Sequence, residues 1–135
     1  MGRRRRAREC ALQMLFQIDL TETRPDGVFD EFWASREADE NTRVFAEELV
    51  WGVFGQRREL DRLIAGSAEH WRIERMAVVD RNVLRMALHE MLAAGGAPPA
   101  VIIDEAIEVA KKFGSADSGS FINGVLDAIR LRIEQ

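Results

Sequence analysis

Apolar residues recur along this chain with the period of a helix. Ala46, Leu49, Val50 and Val53 stand at i, i+3, i+4 and i+7, one face of an amphipathic helix. Leu84, Ala87, Leu88 and Met91 repeat that spacing. So do Ile103, Ala106, Ile107 and Ala110, and then Ile122, Val125, Leu126 and Ile129. No segment shows the alternation of a half-buried strand. The pattern predicts an all-α fold of about seven helices, near residues 4–20, 28–37, 41–65, 69–76, 80–94, 99–113 and 117–133.

The breaks fall where helix chemistry places them. Pro25, Asp26 and Gly27 mark a loop, Gly66-Ser67 a stop, and Gly95, Gly96, Pro98 and Pro99 a longer interruption. Pro99 suits the first turn of a helix, and Gly114 suits a left-handed cap at its end. Asp104 and Glu105 lie toward the positive end of that helix, Lys111 and Lys112 toward the negative end. Ser115, Asp117 and Ser118 are expected to offer caps for the last helix. Short loops between amphipathic helices favour antiparallel packing. The expected architecture is one domain over residues 1–135, made of two small helical bundles sharing a core. A basic arm occupies residues 1–8, the first helical half runs to about 66, and the second covers about 67–135.

Composition narrows the class. A chain of 135 residues is one ordinary domain, and 47% apolar with 31% charged residues is the balance of a globular protein. No apolar run reaches the roughly 18 residues of a membrane span. The basic N-terminus runs into Glu9, Gln13 and Gln17, unlike the apolar core of a secretory signal. Cys10 is the only cysteine, so no intramolecular disulfide is available. These features point to a cytoplasmic protein with no membrane contact.

Enzyme chemistry finds no foothold. Gly95-Gly96 is followed by prolines and carries no P-loop lysine. His70 and His89 belong to no metal-binding pattern. Cys10 on an amphipathic helix reads as a packed thiol, and Asp104-Glu105 as solvated helix charges. No catalytic residue, metal or cofactor is expected.

Charge is distributed unevenly. The net charge is -4, yet Arg3, Arg4, Arg5, Arg6 and Arg8 crowd one end. They sit at the positive end of a helix macrodipole, which they do not stabilise. Arg3 to Arg6 also point in all directions around the axis. A frayed arm that orders on a polyanion fits them, and DNA, RNA or an anionic membrane would each serve. Phe121 lies about 40° outside the apolar arc of its helix, and Phe16 has a similar edge position. Aromatics beside arginines suit stacking on unpaired bases, with a second-layer core role as the competing reading. Gly124 inside a helix predicts a close helix–helix approach. Asn123 beside it suits either a backbone bond or a ligand.

Four blocks carry a resemblance. Arg5-Arg6-Ala7-Arg8-Glu9-Cys10-Ala11-Leu12-Gln13 resembles the N-terminal motif of NusB proteins. Val79-Asp80-Arg81-Asn82-Val83-Leu84-Arg85-Met86-Ala87-Leu88-His89-Glu90 resembles a second block, and the segment from Pro99 to Gly114 a third. Phe121-Ile122-Asn123-Gly124-Val125-Leu126-Asp127 is similar to the C-terminal signature. The blocks keep family order, while residues 21–70 match only by helical pattern.

The resemblance implies two helical bundles and a non-enzymatic transcription antitermination factor. It implies binding of boxA-type single-stranded RNA from ribosomal RNA operons. It also implies a heterodimer with NusE, a small ribosomal subunit protein, within an RNA polymerase antitermination complex. By motif position the RNA surface falls on Arg4, Arg5, Arg6, Arg8, Phe16, Asp117, Ser118 and Phe121, and the partner surface on Glu74 and Asp80. Phe16 stands where the family is expected to have tyrosine, so stacking would survive without a phenolic hydrogen bond. The alternative is a NusB-like homodimer whose RNA binding is weak or masked. Some RNA methyltransferases carry a NusB-like domain ahead of a catalytic one. The sequence here ends at Gln135 with no cofactor-binding βα unit, so that reading is expected to fail.

Overall fold

The computed structural model describes residues 2–68, 72–93 and 95–134, the side chains of Gly2 and Arg3 excepted. Among these are six α-helices: α1 (Gly2–Thr21), α2 (Phe29–Ala34), α3 (Glu40–Ala65), α4 (Val78–Leu92), α5 (Pro99–Phe113) and α6 (Ser118–Ile133). Short 3-10 turns occupy Pro25–Gly27 and Ile73–Arg75. No strand occurs among the described residues, as the periodicity predicts. No helix is long and apolar enough to cross a membrane.

The segment expected as a helix near 69–76 contributes only the turn Ile73–Arg75 among its described residues. Met76 is already extended (φ −70°, ψ 149°), and two apolar residues in five cannot supply a helical stripe. Residues 69–71, including His70, lie outside the described part.

Each helix shows the buried face that its sequence requires. On α1, Ala7, Ala11, Leu12, Met14, Leu15 and Ile18 are buried. The arc is wide because α1 packs against α3 on one side and α4 and α5 on another. Asp39 caps α3, its carboxylate accepting the Thr42 N–H at 2.8 Å. On α4, every residue from Asn82 to Leu88 is buried. A helix buried all round is a central one, and α4 touches α1, α3, α5 and α6. One continuous apolar core results.

Two polar residues on α4 enter that core with their partners. Arg85 donates to both Asp61 oxygens at 2.7 and 2.9 Å, to Asp19 at 3.2 Å and to the Asn82 side-chain oxygen at 3.1 Å. Asn82 and Arg81 donate to the same Asp19 oxygen at 3.0 and 2.8 Å. Burial pushes the Asp19 carboxyl up, but the bonds from Arg81 and Asn82 and the two guanidinium charges outweigh it. The group ends below the usual carboxylate range. The network joins α1, α3 and α4.

Three local expectations are corrected. Gly114 is not left-handed: its φ of −101° and ψ of −160° are extended. Space demands the glycine instead, since a side-chain carbon would lie 2.8 Å from the Ala110 carbonyl oxygen and collide with Ser118 Oγ. Asp117 stands at the start of α6 but makes no side-chain cap bond. The Ser115 N–H goes to Ser118 Oγ at 2.9 Å, so the serine satisfies the loop in its place. Gly124 faces open space, while Gly119 packs against Lys111 and Ile107 and permits the close α5–α6 approach.

Candidate nucleic-acid interface

The arginines of α1 fan around the helix, and each meets a different neighbour. Arg5 points at α5, where Nε and Nη2 donate to the two Glu105 oxygens at 2.9 and 2.6 Å. Arg8 points inward, 7% exposed, and grips Glu90 of α4 in the same two-pronged way at 2.8 and 2.7 Å. It also lies 3.6 Å from Glu105. Arg4 lays its guanidinium over the Phe45 ring, 4.0 Å from the centroid. Arg6 donates to the backbone carbonyl of Glu37.

The frayed arm expected from the sequence is therefore the ordered first turns of α1. Repulsion among the arginines and the unfavourable dipole are offset by carboxylates from α4 and α5. Two-pronged guanidinium–carboxylate pairs are strong and directional. Glu105 is held below the usual carboxylate range, first by the Arg5 hydrogen bond, against an opposing effect of burial. Arg5 and Arg8 are raised in turn by Glu105 and Glu90. Nearby, Lys112 reaches Glu9 at 3.0 Å.

Exposed cations thus differ from the full list of arginines. Arg4 and Arg6 are exposed and form no ion pair among the described residues. Arg36, half-buried at the end of α2, behaves alike. Its guanidinium stacks 3.8 Å from the Phe32 centroid and donates to the Phe32 carbonyl and to Gln13 Oε1 at 3.0 and 3.1 Å.

Phe16 is 36% exposed, whereas Phe121 is half-buried against the core. Asp117 is exposed at the head of α6, four residues before Phe121, whose N–H its carbonyl accepts at 3.1 Å. Ser118, expected at the RNA surface beside it, is 1% exposed and engaged in the loop. The structure brings Arg4, Arg5, Arg6 and Arg8 together on one helix end, and turns Arg8 and Ser118 inward.

Glu74 is exposed on the 3-10 turn before α4, and Asp80 lies in the first turn of α4. Asp80 Oδ1 is buried without a hydrogen-bond partner among the described residues. Cys10 is buried and its thiol is pushed up by that burial, which keeps it protonated and unreactive. His89 Nδ1 pairs with Gln56 Oε1 at 2.8 Å, and burial lowers the imidazole. No group of three or more potential metal-binding side chains clusters among the described residues.

Sequence reasoning missed Glu90 and misread Glu105 as a solvated helix charge, whereas Glu105 is 8% exposed and paired with Arg5 and Arg8; it missed Phe45 and Arg36 as well. The first two carried a signal. Glu105 stands on the buried stripe of Ile102 and Val109, and Glu90 on that of Val83 and Ala87. A carboxylate on an apolar stripe demands a cation, and Arg8 stands likewise among Ala11, Leu12 and Leu15.

The likeness to known proteins extends over this whole arrangement. Residues 5–130 match the NusB family. The transcription antitermination protein NusB of Desulforapulum autotrophicum is 47% identical over 133 residues, spanning 97% of this chain and 93% of that protein. A crystal structure of the antitermination factors NusB and NusE in complex with double-stranded RNA superposes with a TM-score of 0.87 at 28% identity, covering 98% of both chains. The NusB of T. maritima superposes at 0.82 with 33% identity, covering 98% of this chain and 97% of that one. The fold, its arginine-headed first helix and the near-complete coverage agree: the chain belongs to the NusB family, whose relatives are transcription antitermination proteins rather than enzymes.

Proposed function

We propose that this protein binds boxA-type single-stranded RNA of ribosomal RNA operons together with NusE, and so enters the cytoplasmic RNA polymerase antitermination complex. The observation that carries the reading is the state of the α1 arginines. Arg4 and Arg6 are exposed, lie against the Phe45 ring and the Glu37 carbonyl, and form no ion pair among the described residues. Arginine grips phosphate through parallel bonds and stacks on bases. Phe16 lies exposed on the same helix, about three turns further on. A net negative chain that keeps cations uncompensated at one end suits a localised polyanion contact.

Asp80 supports the protein partner. A buried acceptor without a donor costs about 1–3 kcal/mol, and a shift of the first turn of α4 on docking of NusE that opened Asp80 Oδ1 to a donor would relieve that cost. If NusE adds surface for the RNA and so raises RNA affinity, RNA raises NusE affinity by the same factor.

Filter binding of a boxA-like RNA with and without NusE tests the proposal. The expected result is salt-dependent binding that NusE strengthens. RNA affinity that is the same for boxA-like and scrambled strands, with and without NusE, would sink it.

A further inference from the structure

Beside Phe16 lies a groove of about 820 Å³ that runs from α1 to the end of α2. Its floor is Leu12 and Val79, its aromatic walls Phe16 and Phe113, and its far rim the end of α2. We infer that this groove takes an unpaired base of the bound RNA, with Arg36 holding the adjoining phosphate. The inference rests on RNA binding by the chain and adds to it a base-binding groove and a residue outside the four sequence blocks.

Three observations converge on Arg36. Its guanidinium is fixed in place by stacking on the buried Phe32 ring and by bonds to the Phe32 carbonyl and Gln13 Oε1. All of these acceptors are neutral, and Arg36 forms no ion pair among the described residues, so its charge stays uncompensated at the edge of an apolar groove. The exposed Arg6 reaches the carbonyl of Glu37, the next residue in the chain, which places a second such cation beside it. Of the nearby carboxylates, Glu9 is engaged by Lys112. Glu31 lines the groove but is exposed and far better hydrated.

The shape suits a base rather than a phosphate alone. Ligand clefts span roughly 300–1,000 Å³ and combine apolar walls with a few polar groups. Aromatic faces stack any base, while an amide reads its edge. Gln17 lines the groove and is exposed, which leaves its amide available. Gln13 is held at both ends, by Arg36 and by the Glu9 carbonyl, and acts as a positioning residue for the guanidinium.

The experiment measures single-stranded boxA-like RNA binding across a salt series, for wild type, Arg36→Gln, Arg36→Lys and Arg57→Gln. Arg36→Gln is expected to weaken binding about tenfold and to lower the log–log salt slope by about 0.7, one phosphate contact on a single strand. Arg36→Lys keeps the slope and loses affinity, because lysine lacks the flat, two-pronged contact. Arg57→Gln, at an exposed position on α3 that does not line the groove, leaves both unchanged. A duplex of the same sequence cannot insert a base and is expected to feel Arg36→Gln less. A base analogue whose fluorescence stacking quenches should report one protected position, relieved by Phe16→Ala. Unchanged affinity and slope in Arg36→Gln overturns the inference, as does a loss confined to NusE assembly or an equal loss on duplex. Failure of wild type to bind RNA at all strikes the proposed function instead.

Discussion

The imidazole of His89 on α4 fills the space where a side chain on Gly52 of α3 would begin. Both Cε1 and Nε2 would overlap an added carbon, and Nδ1 would lie 3.1 Å from it. The two helices cross closely there because one residue has no side chain and the other is flat.

Gly52→Ala tests that crossing. Alanine is favoured over glycine in a helix by about 1 kcal/mol, so an uncrowded site would gain stability. Here the substitution is expected to cost about 1–2 kcal/mol through overpacking. His89→Ala in the same chain should recover part of the loss. Urea melts of the single and double variants decide, and a stabilised Gly52→Ala would mean the ring moves aside freely.

His89 also carries a pH dependence. Burial lowers its imidazole from the usual 6.5, with Glu90 pulling weakly the other way. The folded protein therefore takes up the proton later than the unfolded chain. Stability is complete above 6.5 and declines as pH falls through the lowered folded value. His89→Asn should flatten that part of a stability–pH profile, which denaturant titrations at several pH values would show.

Glu105 holds two arginines at once. Glu105→Gln is expected to cost about 2 kcal/mol, because Arg8 is buried and loses part of its compensation. The Arg5 hydrogen bond lowers the Glu105 carboxyl, so its contribution is present above the usual carboxylate range and lost as pH falls through the lowered folded value. Releasing Arg5 should also tighten RNA binding and steepen its salt slope by about 0.7. Weaker RNA binding in a folded variant would show that Glu105 orients Arg5 for RNA rather than competing with it.

The head of α6 separates charge from capping. Asp117 makes no cap bond and is exposed, so Asp117→Asn and Asp117→Ala should melt within about 0.5 kcal/mol of wild type. Ser118→Ala should cost about 1 kcal/mol, because the Ser115 N–H loses its acceptor. If RNA passes Phe121, both Asp117 variants are expected to bind it more tightly, since a carboxylate repels phosphate. Reduced affinity in both would make Asp117 an acceptor from a base.

Much of the fold was legible because its signals are local. The stripe Ile122, Val125, Leu126 and Ile129 is buried as its spacing requires, and Pro99 opens α5. The site was legible in place but not in state. Sequence spacing located the arginines, yet their pairing depends on Glu90 and Glu105, which lie about 80 to 100 residues away along the chain. Gly114 and Gly124 show the same limit. A glycine is needed at the first for space and at the second for nothing visible, and neither fact is written in its neighbours.

The seven consecutive buried residues of α4 have a consequence for synthesis. Helices α1 to α3 leave the ribosome first, carrying apolar surface that Val83 to Leu88 cover in the folded protein, together with the Asp19 and Asp61 carboxylates that await Arg85. Until α4 emerges, that half has neither its wall nor its counter-charge. The nascent first half is accordingly the state most exposed to aggregation and proteolysis, and folding waits on a helix encoded past the middle of the chain.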